Sequence, residues 1–477
     1  MTPPAPADGD RPPGEPVLAR RSAQIVLART ADGIADVLLA GEWRLDPMTE
    51  RVRGALERPG RWVDQLAQAA YRAYPQAPRD APRELARFLL LGPPLPQVAA
   101  AALAAGRPIP AVNTRTPVPV SVVRAPWPTP RWDTVDDLAR HLGLTGGELA
   151  WFADTRVYGV RSEHRLRHYR YRLLAKPAGG VRVIESPKWR LRELQRRLLH
   201  EAIVAIPAHD AAHGFRPARS VLTFAEPHTG RQVLLRMDLA NFFAAVTAGR
   251  IFGIARTAGW PEPVAHVLAG LVTTVTPVDV RAQLRGRGDS AARLASALRT
   301  PHLPAGAPTS PALANLVAYR LDGRLAGLSA SAGAAYTRYA DDLAFSGGRD
   351  FADRVGGFAR VVARIAIEEG FVLNAAKTRI ASRSGRQRLT GVVVNAHPNV
   401  ARADFDRLKA LLHNAVHSGP ASQNLDGHAD FRAHLAGRVG WVEQVNPAKG
   451  ARLRRVFDRI DWPSDTGGVA TEETSYP

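Results

Sequence analysis

The sequence predicts an α+β fold, in which helical segments at both ends enclose a central region where strands and helices alternate. Three observations support this prediction. Apolar residues recur at helical spacing towards both termini, strand-like segments occur between them, and the segment YTRYADDLAFSG (residues 336–347) has the pattern of a β-hairpin. Two short runs meet there at Asp341 and Asp342, which predicts an acidic turn.

The N-terminal part is predicted to be mainly helical. Residues 1–16 are rich in Pro and lack apolar periodicity, so we expect a disordered leader. Segments such as RWVDQLAQAAYRAY and PRELARFLLLG have apolar residues at helical spacing, which predicts a helical extension over residues 17–106. Residues 107–130 should form a Pro-rich linker, because proline interrupts both helices and central strands.

Residues 131–232 combine short helices with a predicted hairpin. Thr134, followed three residues later by Asp137, has the spacing of a capping box at a helix start. The segments YRYRLLAKP and VRVIESP flank a Gly-Gly turn and predict two paired strands. The segment WRLRELQRRLLHEAIV predicts a long basic helix.

Strands and helices alternate over residues 233–395, residues 396–462 are helical again, and residues 463–477 are expected to form a flexible tail. An apolar strand precedes Asp238, where we expect a helix to begin. A carboxylate at a strand end can reach acids on a neighbouring hairpin, and convergent carboxylates suit Mg²⁺. Two such ions about 3.5–4 Å apart can activate a hydroxyl and hold a leaving pyrophosphate. Aspartates that serve only as caps and turn residues are the alternative.

The charge of the chain predicts a polyanionic partner. Lys and Arg outnumber Asp and Glu by 64 to 44, which gives a formal net charge of +20. The excess is clustered, since residues 151–200 contain 13 Arg or Lys against 4 Asp or Glu. Phosphates reward such a surface because their neutralisation releases counterions. A purely compositional bias towards Arg is the alternative.

The composition also excludes some site classes and compartments. The sequence contains no Cys, which excludes disulfides and thiolate zinc sites. The first residues lack the basic-then-apolar pattern of a signal peptide. The longest aliphatic stretch, VAAAALAAG from Val98, is too short to span a bilayer. We therefore expect a soluble cytoplasmic protein with no membrane partner.

Five segments in fixed order resemble the palm of reverse transcriptases: RMDLANFF, LPAGAPTSPALANL, YTRYADDLAFSG, LNAAKTRI and LTGVVVN. Upstream, GGVRVIESPKWRLRELQRRLL and HGFRPARSVLTFAEPHTG resemble fingers motifs of the bacterial retron-type branch. The resemblance covers residues 134–462. It implies a right-hand polymerase fold, with fingers over 131–232, an antiparallel-sheet palm over 233–395 and a helical thumb over 396–462.

The resemblance also implies the catalytic residues. Asp238, Asp341 and Asp342 match the ligands of two catalytic Mg²⁺ ions, with the backbone of Leu239 assisting. Lys377 matches the lysine that protonates the leaving pyrophosphate. An ordinary surface lysine is the alternative for Lys377.

Further residues match the family's nucleotide contacts. Phe243 matches the aromatic steric gate that excludes a ribose 2′-hydroxyl, and a core Phe beside Phe242 is the alternative. Lys176 and Arg182 flank the Gly-Gly turn, as residues that grip a triphosphate do in the family. The loop and helix start expected to contact nucleotide and template contain Gly306, Pro308 and Ser310. Ala305 stands where the family has Gln, so we expect an effect on fidelity more than on activity.

By resemblance, the chain is the RNA-directed DNA polymerase of a retron, which copies a structured noncoding RNA into branched RNA-linked DNA (msDNA) and serves phage defence. The implied partners are that RNA as template and primer, the nascent DNA, and an effector protein of the same locus. The short segment after residue 395 favours a retron enzyme. The alternatives are another bacterial reverse transcriptase (diversity-generating, abortive-infection or group II intron-like) and a non-catalytic RNA-binding protein on a polymerase fold.

RNA binding is expected to rest on phosphate contacts and on helix shape. The dense basic region over 156–197 and a basic C-terminal helix would supply the phosphate contacts, and Trp441 would stack on unpaired bases. The arginines of that helix expected to act in this way are Arg452, Arg454 and Arg455.

Overall fold

The computed structural model describes residues 15–112, 125–160, 162–176 and 180–462. Helices and antiparallel sheets alternate in it, which confirms the predicted α+β class. The helices are α1 (Glu15–Leu39), α2 (Leu45–Ala55), α3 (Trp62–Ala73), α4 (Pro82–Leu91), α5 (Leu95–Ala104), α6 (Val135–Leu142), α7 (Gly146–Ala153), α8 (Trp189–Leu198), α9 (Val221–Ala225), α10 (Ala248–Thr257), α11 (Glu262–Val272), α12 (Val278–Ala282), α13 (Asp289–Ala297), α14 (Ser310–Val317), α15 (Tyr319–Ser331), α16 (Arg349–Glu368), α17 (Arg402–Ser418), α18 (Phe431–Val445) and α19 (Pro447–Phe457). The strands are β1 (Tyr169–Ala175), β2 (Val181–Pro187), β3 (Val233–Asp238), β4 (Ala334–Tyr339), β5 (Asp342–Gly347), β6 (Arg379–Ser382), β7 (Arg388–Leu389) and β8 (Val392–Val393).

The chain folds into two compact units. The first consists of the residues up to Pro207 together with Val246–Leu313, and the second of Ala208–Ala245 together with the residues from Ala314 onward. The predicted fingers, palm and thumb boundaries do not coincide with these units, because the predicted palm segment contributes to both. Those boundaries remain predictions.

Helices α1 to α5 form the predicted helical extension and bury a core of their own. Their apolar positions recur at helical spacing, so each helix turns one stripe inward. Helix α1 begins at Glu15, inside the predicted disordered leader, whereas residues 1–14 and the predicted tail lie outside the described residues. Only the ends of the predicted Pro-rich linker are described, and they contain no helix.

The described residues contain no single helix that is both long and apolar enough to cross a bilayer. Helices α4 and α5, which are bent by 53° at the break between them, meet the length and composition criteria only as a pair.

Two local predictions in the first unit are confirmed. The Thr134 hydroxyl accepts a hydrogen bond from the Asp137 N–H at 3.1 Å, and the Asp137 carboxylate accepts one from the Thr134 N–H at 2.9 Å. Strands β1 and β2 pair as an antiparallel hairpin in which Tyr169 faces Pro187. The predicted basic helix is present as α8, which continues as a π-helical turn over Leu199–Ile203.

The second unit contains a four-stranded antiparallel sheet in the order β4-β5-β3-β6. Strand β5 is central, and nearly all of its residues are buried. A single core joins apolar residues of this sheet, of β7 and β8, and of helices α17 to α19. The sheet is therefore held on the same core as the C-terminal helices.

The helix expected directly after Asp238 is absent, and this prediction was wrong. Leu239 pairs with Leu373 as an isolated bridge, and the next residues form turns until α10 begins. Asn241 has a φ of 52°, a left-handed conformation that a right-handed helix excludes.

Two residues expected on an RNA-binding surface, Arg454 and Trp441, make contacts within the second unit. Arg454 of α19 forms a bidentate ion pair with Glu443 of α18, with Nε–Oε1 at 2.9 Å and Nη2–Oε2 at 2.7 Å. Trp441 is half-buried and packs against the core. Arg452 and Arg455 are exposed and form no ion pair with any described residue. These contacts support phosphate binding by Arg452 and Arg455 more than by Arg454.

Candidate active site

The acidic turn joins β4 to β5 through a two-residue loop. Tyr339 pairs with Asp342, which leaves Ala340 and Asp341 as the loop. Ala340 has a φ of 55°, and the tight turns that fit the twist of a hairpin require positive φ at this first loop position. The turn therefore presents Asp341 at its tip and Asp342 at the start of β5.

Sheet pairing brings Asp238 to the same turn. Strand β3 runs antiparallel to β5, and Asp238 lies directly opposite Asp342. Directly opposed residues have Cβ atoms about 4.5–5.5 Å apart and share one face of the sheet. The Leu239 N–H also donates a hydrogen bond to the Asp341 carbonyl at 2.8 Å. Three acids from two distant segments thus meet where strand β3 ends and strand β5 begins.

Asp238 is buried and paired with a lysine. The Lys377 Nζ lies 2.7 Å from the Asp238 Oδ2, and the lysine side chain is about half exposed. The Asn374 N–H donates to the Asp238 carbonyl at 2.8 Å, and the short turn Ala375–Lys377 follows it. This backbone contact fixes the segment that carries Lys377, so two residues with separately predicted roles are brought together.

Asp342 is held by a residue that the sequence analysis did not identify. Arg236 donates from Nε to the Asp342 Oδ1 at 3.1 Å and from Nη2 to Oδ1 and Oδ2 at 2.8 and 3.0 Å. The Thr390 hydroxyl adds a longer contact of 3.3 Å. Arg236 shares a face of β3 with Asp238, since strand side chains alternate. A basic residue two positions before a strand-end Asp was the available signal.

The surroundings of Asp341 disfavour the ionised form of its carboxyl. Burial raises the pKa of its carboxyl, and the negative charges of Asp238 and Asp342 raise it further. A divalent cation would offset this repulsion, and three carboxylates with the Leu239 carbonyl are oxygen donors of the kind Mg²⁺ takes. In their present orientations, however, no three acidic or histidine side chains of the described chain form a ligand set. Two of the three aspartates are engaged by Lys377 and Arg236.

Phe243 and Phe242 differ in burial. Phe242 is buried, with its ring 5.7 Å from that of Phe371 and 5.7 Å from the guanidinium of Arg338. Phe243 is half-buried, and its ring lies 6.3 Å from the exposed ring of Phe215. Phe242 is therefore the more buried of the two, and the Phe243 ring lies 5.8 Å from it, so the role of Phe243 as a sugar gate stays a prediction.

Comparisons with known proteins cover the part of the chain that contains this site. A family model described as "Reverse transcriptase (RNA-dependent DNA polymerase)" matches residues 174–398, a range that contains all three aspartates and the lysine. The chain is 40% identical over 356 residues to the retron Mx65 reverse transcriptase of Myxococcus xanthus, covering 72% of this chain and 75% of that protein. This chain belongs to the retron reverse transcriptases.

Other relatives extend the comparison. The retron Mx162 reverse transcriptase of Myxococcus xanthus is 35% identical, over 67% of this chain and 65% of its own length. The retron Ec86 reverse transcriptase of Escherichia coli is 29% identical, over 61% of this chain and 82% of its own length. This retron reverse transcriptase is thus an RNA-directed DNA polymerase, a family that implies a divalent metal cofactor.

A buried ion pair supports the acidic turn of the retron reverse transcriptase. Arg338 and Asp322 are both fully buried, with Nε–Oδ1 at 2.7 Å and Nη2–Oδ2 at 2.6 Å. The remaining Nη1 of Arg338 donates to the Asn315 Oδ1 at 2.9 Å and to the Ala340 carbonyl at 3.1 Å. The Tyr336 hydroxyl donates to the Asp322 Oδ1 at 2.7 Å. One guanidinium therefore connects helix α15 to the backbone of the acidic turn.

The HGF segment is fitted to the same loop. Ala212 forms a parallel bridge with Arg338, and the His213 N–H donates to the Arg338 carbonyl at 2.7 Å. A Cβ on Gly214 would lie 2.7 Å from the Ala340 nitrogen, so only glycine fits there. Phe215 follows with a φ of 61° and an exposed ring. This residue was not identified by the sequence analysis. This strained residue supplies the aromatic neighbour of Phe243.

The predicted triphosphate residues lie in the first unit, on the β1–β2 hairpin. The Lys176 N–H donates to the Gly180 carbonyl at 3.0 Å, which closes the hairpin. Arg182 is exposed and lies opposite Leu174. Residues 177–179, which include the first turn glycine, lie outside the described residues. The role of these two cations in gripping a triphosphate stays a prediction.

The predicted nucleotide loop packs directly on β2 of that hairpin. The Glu185 N–H donates to the Ala305 carbonyl at 2.9 Å. Gly306 is exposed, has a φ of 145°, and would place a Cβ 2.9 Å from the Glu185 carbonyl. Glycine is therefore required here by both conformation and space. The hairpin and the loop are thus joined by a backbone hydrogen bond within one unit, and the effect of Ala305 on fidelity stays a prediction.

Pro308 and Ser310 complete the loop. Pro308 is half-buried, whereas Ser310 is buried and its hydroxyl donates to the Pro304 carbonyl at 2.7 Å. Ser310 therefore holds the shape of the loop, and its contact with a nucleotide stays a prediction.

The buried ion pair predicts non-additive losses of stability. Arg338→Met and Asp322→Leu should each lower the free energy of unfolding by about 3–5 kcal/mol, because each leaves a buried charge unpaired. The double variant should lose less than the sum, since neither charge remains. Urea denaturation of the four proteins measures this cycle. Arg402→Met, at an exposed ion pair of the same unit, should leave the stability almost unchanged, and additive losses would contradict the coupling.

Proposed function

We propose that this chain is the polymerase of a retron, which copies a structured noncoding RNA into RNA-linked single-stranded DNA by two-metal nucleotidyl transfer. The observation that carries the proposal is the pairing of Asp238 with Asp342 beside the Asp341 loop, in a chain that belongs to the retron reverse transcriptases. The donors are of the right kind and charge for this chemistry.

Each acidic group has a role in the proposed reaction. Asp238, Asp341 and Asp342, with the Leu239 carbonyl, would hold two Mg²⁺ ions, which activate the attacking hydroxyl and stabilise the leaving pyrophosphate when bound. We assign to Lys377 the donation of a proton to that pyrophosphate. Its half-exposed ammonium, 2.7 Å from Asp238, supports the assignment.

Removing the carboxylate at the loop tip tests the metal assignment. Asp341→Asn should lower DNA synthesis by more than about 100-fold, because losing a metal ligand costs more than the 10–100-fold typical of losing an outer partner. RNA binding and stability should persist. The assay is primer extension on an RNA template with Mg²⁺, with Asp350→Asn, an exposed acid of the same unit, as control. Normal extension by folded Asp341→Asn protein would exclude Asp341 as a ligand.

The sugar gate is tested by reducing the size of one ring. Phe243→Ala or Phe243→Val should lower discrimination against ribonucleotides by about 10- to 100-fold, as expected when a pocket gains the room that excluded a small group. The measurement is incorporation of rGTP relative to dGTP. Phe242→Leu is the matched control, which should reduce stability and leave the ratio unchanged. An unchanged ratio in the Phe243 variants would place the gate elsewhere.

RNA binding through α19 is proposed to depend on its two unpaired arginines. Arg452→Gln and Arg455→Gln should each flatten the slope of log affinity against log salt by roughly 0.7–0.9, the contribution of one neutralised phosphate. Arg454→Gln should leave the slope unchanged, because its guanidinium already faces Glu443. Titrations at several salt concentrations measure the slopes. Slopes equal to that of the parent protein in the Arg452→Gln and Arg455→Gln variants would contradict phosphate binding by this helix.

The retron assignment predicts a specific RNA. Sequencing of nucleic acid that co-purifies with the protein should return one structured noncoding RNA, linked to DNA copied from it. A mixture of unrelated RNAs would instead favour another class of bacterial reverse transcriptase. We further propose cytoplasmic action in phage defence with an effector encoded at the same locus, for which membership of the retron enzymes is the support.

A further inference from the structure

An open cleft in the first unit is lined by exposed aromatic and apolar side chains that the polymerase site does not use. It has a volume of about 270 Å³, and Trp151, Tyr158, Leu166 and His168 contribute to its walls. Three of these side chains are strongly exposed: Trp151 by 47%, Tyr158 by 62% and Leu166 by 51%. Large apolar side chains that cluster at a surface indicate a binding site. The volume is near the lower end of the roughly 300–1,000 Å³ of ligand pockets, which suits one flat group.

The Asp154 carboxylate fixes the backbone that carries Tyr158. The Asp154 carboxylate accepts hydrogen bonds from the N–H groups of Tyr158 at 2.7 Å and Gly159 at 2.8 Å. Val157, which directly precedes Tyr158, has a φ of 58°, an outlier for a β-branched residue. Strain of this kind persists only where the surroundings fix it, and it is concentrated at functional sites.

His168 fixes the orientation of Trp151. The His168 ring packs edge-on against the indole at a centroid distance of 4.9 Å, and its Nε2 lies 2.8 Å from the Trp151 carbonyl. The indole is therefore oriented, yet about half of its surface faces solvent. An oriented, exposed aromatic ring is a surface on which a planar group stacks without a large ordering cost.

Two exposed arginines are near neighbours in the chain of residues that line the cleft: Arg156 lies two residues before Tyr158, and Arg165 directly precedes Leu166. Arg156 and Arg165 are exposed and form no ion pair with any residue that the structure describes. The Lys188 ammonium donates to the Arg165 carbonyl at 2.7 Å, and the Lys188 N–H donates to the His168 carbonyl at 2.8 Å. A third cationic side chain, Lys188, is thus tied to the backbone of Arg165 and His168. Stacking rings bordered by unpaired cations are the pattern of surfaces that bind single-stranded nucleic acid.

We propose that this cleft binds an unpaired base of RNA, stacked on Trp151 and Tyr158, while the adjoining phosphates contact Arg156 and Arg165. The inference rests on the proposed action on RNA and adds to it a site for a single-stranded segment. A protein partner would also cover apolar side chains, but it gives no reason for two exposed rings beside arginines that form no ion pair with any described residue.

Direct binding measurements on the full-length protein test the proposal. Trp151→Ala and Tyr158→Ala should each weaken binding of a fluorescent twelve-nucleotide oligo(rA) by about 5- to 100-fold, as expected for one stacked base. Binding of a blunt RNA duplex should change less than about twofold, since duplex bases are not available for stacking. Trp151→Phe should retain most of the affinity. Tyr71→Ala, at an exposed aromatic residue of α3, is the matched control.

The salt dependence separates stacking from charge. Trp151→Ala should keep the salt slope of the parent protein, whereas Arg165→Gln should reduce it by roughly 0.7, the value for one single-strand phosphate. Unchanged oligo(rA) affinity in both aromatic variants, or an equal loss on duplex and single strand, would overturn the proposal. Unchanged RNA binding with loss of a protein partner would assign the cleft to that partner and overturn it as well.

The outcome is independent of polymerase activity. The Asp341→Asn protein should bind oligo(rA) as the parent does, so failure of DNA synthesis leaves the cleft testable. If the parent makes no DNA yet binds oligo(rA) through Trp151, the proposed function fails and the cleft remains. If it makes DNA and the aromatic variants bind normally, only the cleft fails.

Discussion

The fully buried pairing of Arg338 with Asp322 is the contact on which the geometry of the acidic turn depends. Burying two charges is costly, and the cost is offset only when every donor and acceptor finds a partner. Here the guanidinium satisfies Asp322, the Asn315 amide oxygen and the Ala340 carbonyl together. Because one of those partners is loop backbone, the ion pair fixes where the loop lies as well as stabilising the core. The Gly214 backbone, packed against the same loop, leaves it little freedom to move.

The resting arrangement neutralises two of the three carboxylates internally. Asp238 is paired with Lys377 and Asp342 with Arg236, while Asp341 keeps neighbouring negative charges and a raised pKa. Such an arrangement limits repulsion within the cluster without filling it with apolar groups. Lys377 and Arg236 therefore stabilise the fold where the three carboxylates meet.

The predictions that rest on short-range sequence patterns agree best with the structure. The capping box at Thr134, the extent of β2 and the hairpin at Asp341 follow from short-range spacing, and the structure has each of them. The expected helix after Asp238 failed because Asn241 adopts a left-handed conformation that no periodicity reveals. Long-range partners were equally hidden.

The register that sets Asp238 against Asp342 is a tertiary property, and so is the choice of Arg236 as partner of Asp342. Resemblance to a family supplied the meeting of the acids, which spacing alone left open. The packing of Trp441 and the ion pair of Arg454 were hidden for a related reason. Residue type indicates an exposed aromatic or cation, but only packing shows that each already has a partner.

The two-residue loop between β4 and β5 has a consequence for how the protein tolerates changes in chain length. Surface loops usually accept inserted residues, because their ends are not tied to a register. Here Tyr339 and Asp342 are directly paired on either side of the loop. A shift of β5 by one residue would turn every side chain of that strand to the opposite face of the sheet, carrying Asp342 away from Asp238 and polar Ser346 out of its buried position. Substitutions in this segment are thus graded in their effects, whereas a one-residue insertion or deletion would remove the site and disrupt the core together.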